Sequence, residues 1–221
     1  MFDSTIRNGF VSYCNRLNEF YNKPAHLRGG QKDKTVMPTI TPIELESAPE
    51  ASLQLLKVTE EKTKRPLSIL RTLAHSPEML GAYLQFNRAC DASVSPRLRT
   101  LITSTVSQAM GDEYTLAAVA AFGAREGLTS AEIEAARHAN SQDLKTELAL
   151  KFAAVTIKEQ GHLPASEVET LLQSGYTEQE VVEIIGVIAL NVWRGLFNLV
   201  VQTTVDFEPV KLNEPLPQSI E

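Results

Sequence analysis

From residue 49 onward apolar side chains recur at steps of three and four, and the breaks between the runs carry helix-start chemistry. The pattern predicts helices and no convincing strand. Pro49-Glu50 opens one run over 49–63. Ser76-Pro77-Glu78 and Ser95-Pro96 each place a capping hydroxyl before a proline suited to the first helical position. Thr129-Ser130-Ala131-Glu132 and Thr177-Glu178-Gln179-Glu180 are capping boxes: the hydroxyl accepts from the third residue's N–H and the glutamate reaches back. Both follow a glycine and one apolar residue, Gly127-Leu128 and Gly175-Tyr176, a short way to close one helix and open the next at an angle. Two copies make a shared helix-turn-helix device; a solenoid would need three or more repeats. The expected fold class is all-α.

The longest apolar stretch is 181–205, and about 20 apolar residues suffice to span a bilayer. Glu183, Asn191, Arg194, Asn198 and Gln202 interrupt it at a cost in lipid, and basic flanks and an aromatic belt are missing. The expectation is therefore a buried central helix, apolar nearly all round, with no membrane as partner. Asn191, Arg194, Asn198 and Gln202 follow steps of three and four and line one stripe, which either meets water or faces a pocket or subunit interface. A buried Arg194 needs a partner, and Asp112 and Glu113 are the acidic candidates. Trp193 is expected to pack in the core.

Composition adds bounds. The chain has 221 residues, 43% hydrophobic and 22% charged, which fits a soluble globular domain, and a net charge of −6 offers no basic surface for nucleic acid. Cys14 and Cys90 form no C-x-x-C pair, so neither a disulfide framework nor a zinc site is signalled, and reduced intracellular thiols are expected. Residues 1–36 differ in kind, with six basic against three acidic side chains and a helical recurrence of Ile6, Phe10, Cys14, Leu17 and Tyr21. They read as an appended arm, or as sequence upstream of a natural start at Met37. A mitochondrial presequence is the alternative to a cytoplasmic protein, and Asp3 and Glu19 count against it. The helical domain is expected over 37–210 and a tail over 211–221.

The candidate chemistry centres on "MGDEYTLAAVAAFGAREGLT", residues 110–129. Asp112 is a good N-cap for the helix that follows, and the small residues 117–121 permit close helix approach. Asp112, Glu113 and Tyr114 could transfer protons, yet the stretch holds no histidine to pair with them and no thiol. His138 and His162 fall near helix ends, and His26 lies in the arm.

Over residues 37–209 the chain resembles the carboxymuconolactone decarboxylase and alkylhydroperoxidase D superfamily. The segments that carry the likeness are "MPTITPIELESAPEASLQLL", "RTLAHSPEMLGAYLQFNRA", "SPRLRTLITSTVSQAMGDEYTLAAVAAFGAREGLTSAEI" and "LLQSGYTEQEVVEIIGVIALNVWRGLFNLV". The resemblance implies a helical bundle assembled as a homo-oligomer, a trimer, hexamer or related form; no cofactor and no metal are expected. In the peroxidase-like branch a C-x-x-C-x-x-x-H motif supplies two thiols and a histidine, with a glutamate twelve residues upstream. Laid on this chain, these positions hold Asp112, Thr115, Val119 and Thr100. Neither Asp112 nor Thr115 can become a sulfenic acid or resolve one, so peroxide reduction by that route is not expected. Cys90 is a single cysteine at the end of an apolar helix and is expected to be inert.

The decarboxylase branch works without the thiol pair. By that resemblance Asp112 or His75 would handle the proton with Thr115 beside them, and Arg194 would hold a carboxylate. Thr100, Tyr114, Asn191 and Asn198 would complete the substrate contacts. Three readings stay open: a thiol-independent enzyme on a small organic acid or lactone, a non-catalytic oligomeric binding or assembly protein, and the peroxidase-related antioxidant that homology would suggest. Convergence of Arg194, Asp112, Thr100 and Thr115 on one pocket would favour the first.

Overall fold

The computed structural model describes residues 38–212, all within the unit Met37–Glu221. The expectations placed on residues 1–36 and 213–221 lie outside the described residues. Among the described residues there are nine α-helices and no strand: α1 Glu50–Thr63, α2 Ser68–Leu73, α3 Pro77–Asp91, α4 Pro96–Met110, α5 Glu113–Phe122, α6 Ser130–Arg137, α7 Leu144–Lys158, α8 Ala165–Gln173 and α9 Glu178–Val201. Short 3-10 turns at Leu45–Ser47 and Gly123–Glu126 complete the order.

The helix starts follow the residues that announce them. Ser76 accepts from the Met79 N–H and Ser95 from that of Leu98, each with proline in the first turn. Both capping boxes close in full, Thr129 with Glu132 at α6 and Thr177 with Glu180 at α9. Each satisfies two backbone groups that a bare helix end would leave to water.

The centre of the fold is α4, which packs against α5, α6, α7 and α9. Every residue of 101–108 is buried, including Thr103, Ser104, Thr105, Ser107 and Gln108. Small hydroxyls suit this place because they bond to nearby backbone and let neighbouring helices approach. Thr103 donates to the Arg99 carbonyl at 2.9 Å, and Thr105 to the carbonyls of Leu101 at 3.2 Å and Ala136 at 2.6 Å. Gln108 Oε1 accepts from Arg137 Nε and Nη2 at 2.9 and 2.8 Å, and Glu134 Oε2 pairs with Nη1 at 2.9 Å, which together compensate a cation that is only 5% exposed.

The expected central helix, 181–205, needs correction. α9 ends at Val201, where Gln202 adopts φ +54° and the Thr203 N–H bonds back to the Asn198 carbonyl. Only nine of its 24 residues are buried. Val182, Ile185, Leu196 and Val200 stand exposed at 68, 44, 52 and 71%, so α9 gives one face to the core and leaves an apolar stripe on the other. It is long and apolar enough to cross a bilayer, but its buried face carries hydrogen-bonded Asn191 and Asn198 against α4 and α5.

After α9 the chain runs back across the bundle without regular structure. Asp206 reaches α2 and α5, Phe207 packs edge-on against Tyr114 and Phe122, and the Lys211 carbonyl accepts from Arg137 at 2.5 Å. This return strap ties the end of the domain to its middle.

Candidate functional site

A tight turn sets the site. α4 closes on Gly111, whose φ of +73° is the left-handed conformation that glycine adopts without a Cβ penalty. The next residue, Asp112, already caps α5: its N–H bonds to the Ser107 carbonyl at 2.9 Å and its Oδ1 accepts from the Thr115 N–H at 3.1 Å. The carboxylate is 1% exposed and also takes Asn198 Nδ2 on both oxygens at 3.1 Å. The same Nδ2 lies 3.3 Å from Thr115 Oγ1, so Asn198 holds Asp112 and Thr115 in register from α9.

On the far side of Thr115 a cavity of about 200 Å³ opens between α3, α4, α5 and α9. Thr100, Thr115 and Val119 all line it, so three of the four positions that the thiol motif would occupy meet in one place, with Asp112 directly behind Thr115. Asn191 and Arg194 supply the opposite wall.

Arg194 is held by neutral acceptors. Its Nε donates to Tyr83 Oη at 3.0 Å, Nη1 to Asn191 Oδ1 at 3.0 Å and Nη2 to Asn87 Oδ1 at 3.1 Å. Asn191 in turn donates to Thr103 Oγ1 at 3.1 Å, which links the guanidinium to the central helix. Three bonds leave two of the five guanidinium N–H groups for another partner. The expected pairing of Arg194 with Asp112 does not occur, because the Asp112 oxygens face Asn198 and the Thr115 backbone.

A second cation shares the cavity wall. Arg99 pairs with Asp91 at the surface, while its buried Nε has no hydrogen-bond partner among the described residues. Burial holds its guanidinium below the usual value; Glu126 opposes that and the charge of Arg194 adds to it. Cys90 lies close enough to feel both arginines, yet burial wins and pushes its thiol up, as suits an inert core cysteine.

The remaining candidates lie elsewhere. His75 is exposed, with Nε2 2.9 Å from the Thr41 carbonyl, and does not line the cavity. Tyr114 points away from the cavity: its hydroxyl donates to Asp206 Oδ2 at 2.6 Å, and burial together with that carboxylate keeps the phenol protonated far above its ordinary range. Trp193 stacks between Tyr83 and Phe197 with centroids 5.2 and 5.7 Å away. Gln202 is exposed beyond the end of α9. Sequence reading missed Tyr83, Asn87, Arg99 and Glu126. Arg99 sits one residue before Thr100 in "SPRLRT", which was the available signal, whereas Tyr83 and Asn87 are four apart on α3 and carried none beyond their shared helix face.

No group of three or more metal-ligating side chains occurs among the described residues. The arrangement can hold a small anion between two guanidiniums, offer it a hydroxyl from Thr115, and move a proton through Glu126, the sole acid among the lining residues.

No curated protein matches the chain in sequence. Residues 77–158 match the model of the carboxymuconolactone decarboxylase family, a span that begins at the first residue of α3 and ends at the last of α7. Among solved structures, the chain resembles the alkylhydroperoxidase AhpD core of an uncharacterized peroxidase-related protein from Ralstonia eutropha JMP134, with TM-score 0.70, 17% identity, 77% of this chain and 93% of that one covered. An uncharacterized peroxidase-related protein from Silicibacter sp. TM1040 gives TM-score 0.68 and 17% identity over 84% and 99%. A cysteine-to-alanine variant of the debrominase Bmp8 in complex with 2,3,4-tribromopyrrole gives 0.66 and 20% over 79% and 94%. Residues 77–158 thus match the carboxymuconolactone decarboxylase family model, and the chain carries that segment within an all-α fold like that of the alkylhydroperoxidase AhpD core.

Proposed function

We propose that this protein is a thiol-independent enzyme acting on a small organic acid or lactone, with Arg194 as the group that holds the substrate's carboxylate. The observation that carries this reading is a guanidinium on a cavity wall with Arg99 beside it, neutral hydrogen-bond acceptors only and N–H donors to spare. A cation so placed is undercompensated, and an anion in the cavity would supply both charge and acceptors. Thr115 contributes its hydroxyl to the substrate's oxygen, Glu126 gives or takes the proton, and Asp112 and Asn198 act as positioning residues behind Thr115. Thiol peroxidase chemistry is no part of the proposal, because Asp112 and Thr115 carry no sulfur.

The test is a thermal-shift panel of small carboxylic acids and lactones against their neutral amide isosteres on the full chain. At 100 times its dissociation constant a ligand stabilises the folded state by about 2.7 kcal/mol, roughly 5–10 °C in Tm for a domain of this size. The reading expects acids to shift Tm and amides to leave it unmoved. A panel in which no acid shifts Tm would overturn it.

The exposed apolar stripe of α9 supports self-association of the chain as a homo-oligomer, trimer or hexamer, because large side chains in one helical row are costly to leave in water. Leu196→Asp with Val200→Asp should lower the sedimentation mass of an assembly, while a wild-type chain that sediments as a monomer would remove this reading.

A further inference from the structure

A second, larger space shares one lining residue, Asn87, with the cavity. It is a groove of about 680 Å³ between α1, α2 and α3, walled by Leu55, Val58, Leu67, Ile69, Leu70 and Leu84. Asn87 lines both spaces, and Tyr83 lines the groove. These are the two α3 residues that accept from Arg194 Nη2 and Nε. Of the two spaces Arg194 lines only the cavity, and its bonds to the groove-lining Tyr83 and Asn87 mark the seam between them.

The two spaces differ in chemistry and size. The cavity is polar and cationic and, at about 200 Å³, falls below the range of roughly 300–1,000 Å³ that holds a drug-sized ligand. The groove falls within that range and is chiefly aliphatic. Its rim carries Lys62 and Arg88, neither with an ion-pair partner among the described residues, against Asp91, which Arg99 already holds. Charge at the rim and at the seam both favour an acid.

We propose that the natural ligand is an amphipathic carboxylic acid, its carboxylate at Arg194 and its apolar body along the groove between α1 and α3. This rests on the carboxylate reading of Arg194 given above and adds the chemical class of the substrate's other end. Tyr83 and Asn87 then act as the threshold between head and body, orienting Arg194 from the groove side.

The experiment is a calorimetric titration of the full chain with straight-chain carboxylates of two to ten carbons, with the matching primary alcohols as headless controls. Burial of each methylene in the groove should tighten binding by about fourfold. Val58→Trp, a change at a side chain already 52% exposed, should fill the groove, flatten that dependence and leave the shortest acid bound as in the wild type. Acids that bind with equal affinity at every length would overturn the amphipathic ligand while short-acid binding still upheld the carboxylate site, whereas alcohols that bind as tightly as acids would overturn both. If no acid of any length binds, both readings fail together.

Discussion

Neighbouring residues of α5 belong to two polar clusters that are finished to different degrees. Tyr114 joins the first, where its hydroxyl, the Ser68 N–H and the Ser68 hydroxyl all donate to the Asp206 carboxylate at 2.6, 2.7 and 2.6 Å. These three donors meet a charged acceptor, and the Arg65 guanidinium adds a bond to the Asp206 carbonyl at 2.9 Å. Thr115, one residue on, faces the second cluster, where Arg194 is a cation among amides and a phenol beside open space. A cluster completed within the chain holds the fold; a cluster with spare donors around a cavity is suited to hold something else.

Breaking the first cluster should have the largest effect. Asp206→Ala removes three bonds to a charged group and frees the return strap, with an expected loss of about 3 kcal/mol, roughly 6–12 °C in Tm. Carboxylate binding at Arg194 should survive in the folded fraction. Denaturant melts with ligand titration measure both, and a variant that keeps its Tm but loses binding would show that the clusters are not separate.

The smallest expected effect lies farther from both, at the start of α6. The Thr129 N–H and hydroxyl and the Arg97 guanidinium hold the Glu132 carboxyl at about 2, below the usual glutamate value of 4.5. Because the folded value is depressed, the contribution to stability is present above pH 4.5 and is lost as pH falls toward about 2. The Glu132 side chain is 39% exposed and solvent screens its contacts, so the effect is small. Glu132→Gln should flatten the stability profile of the chain in that window, and melts of the two proteins at pH 5 and pH 3 give the check.

How much of this was legible in the sequence depended on whether local chemistry wrote it. The starts of α3, α4, α6 and α9 carried a hydroxyl cap with proline or a capping box, and each could be read. The starts of α2 and α8 lack a side-chain cap, at Leu67 and Pro164, and gave nothing to read. Asp143 does cap α7, accepting from the Thr146 N–H at 2.8 Å, and that signal was passed over. The centre of the fold was misplaced for a different reason: α9 is rich in aliphatics, whereas α4 hides threonines and serines, of which Ser104 and Thr105 donate to the Ile133 and Ala136 carbonyls that tertiary packing brings near.

At the site, Arg194, Asn191, Thr100 and Thr115 could be named because steps of three and four and the spacing of a resembled motif mark them. Their convergence could not be read, since α4, α5 and α9 meet across about 90 residues of chain. Nor could the neutral partners of Arg194. Asp112 and Glu113 stood as its acidic candidates, but Asn198 claims both Asp112 oxygens.

The most direct measurement is a calorimetric titration of one short carboxylate into the full chain and into Arg194→Gln, with Tm and circular dichroism confirming that the variant is folded. Loss of a charge-assisted bond is worth about 1.5–3 kcal/mol, so the wild type should bind the acid roughly 10- to 150-fold more tightly than the variant. Equal affinity in the two proteins, or equal affinity of the wild type for the acid and its neutral amide, would contradict the assignment of Arg194 as the carboxylate-holding group.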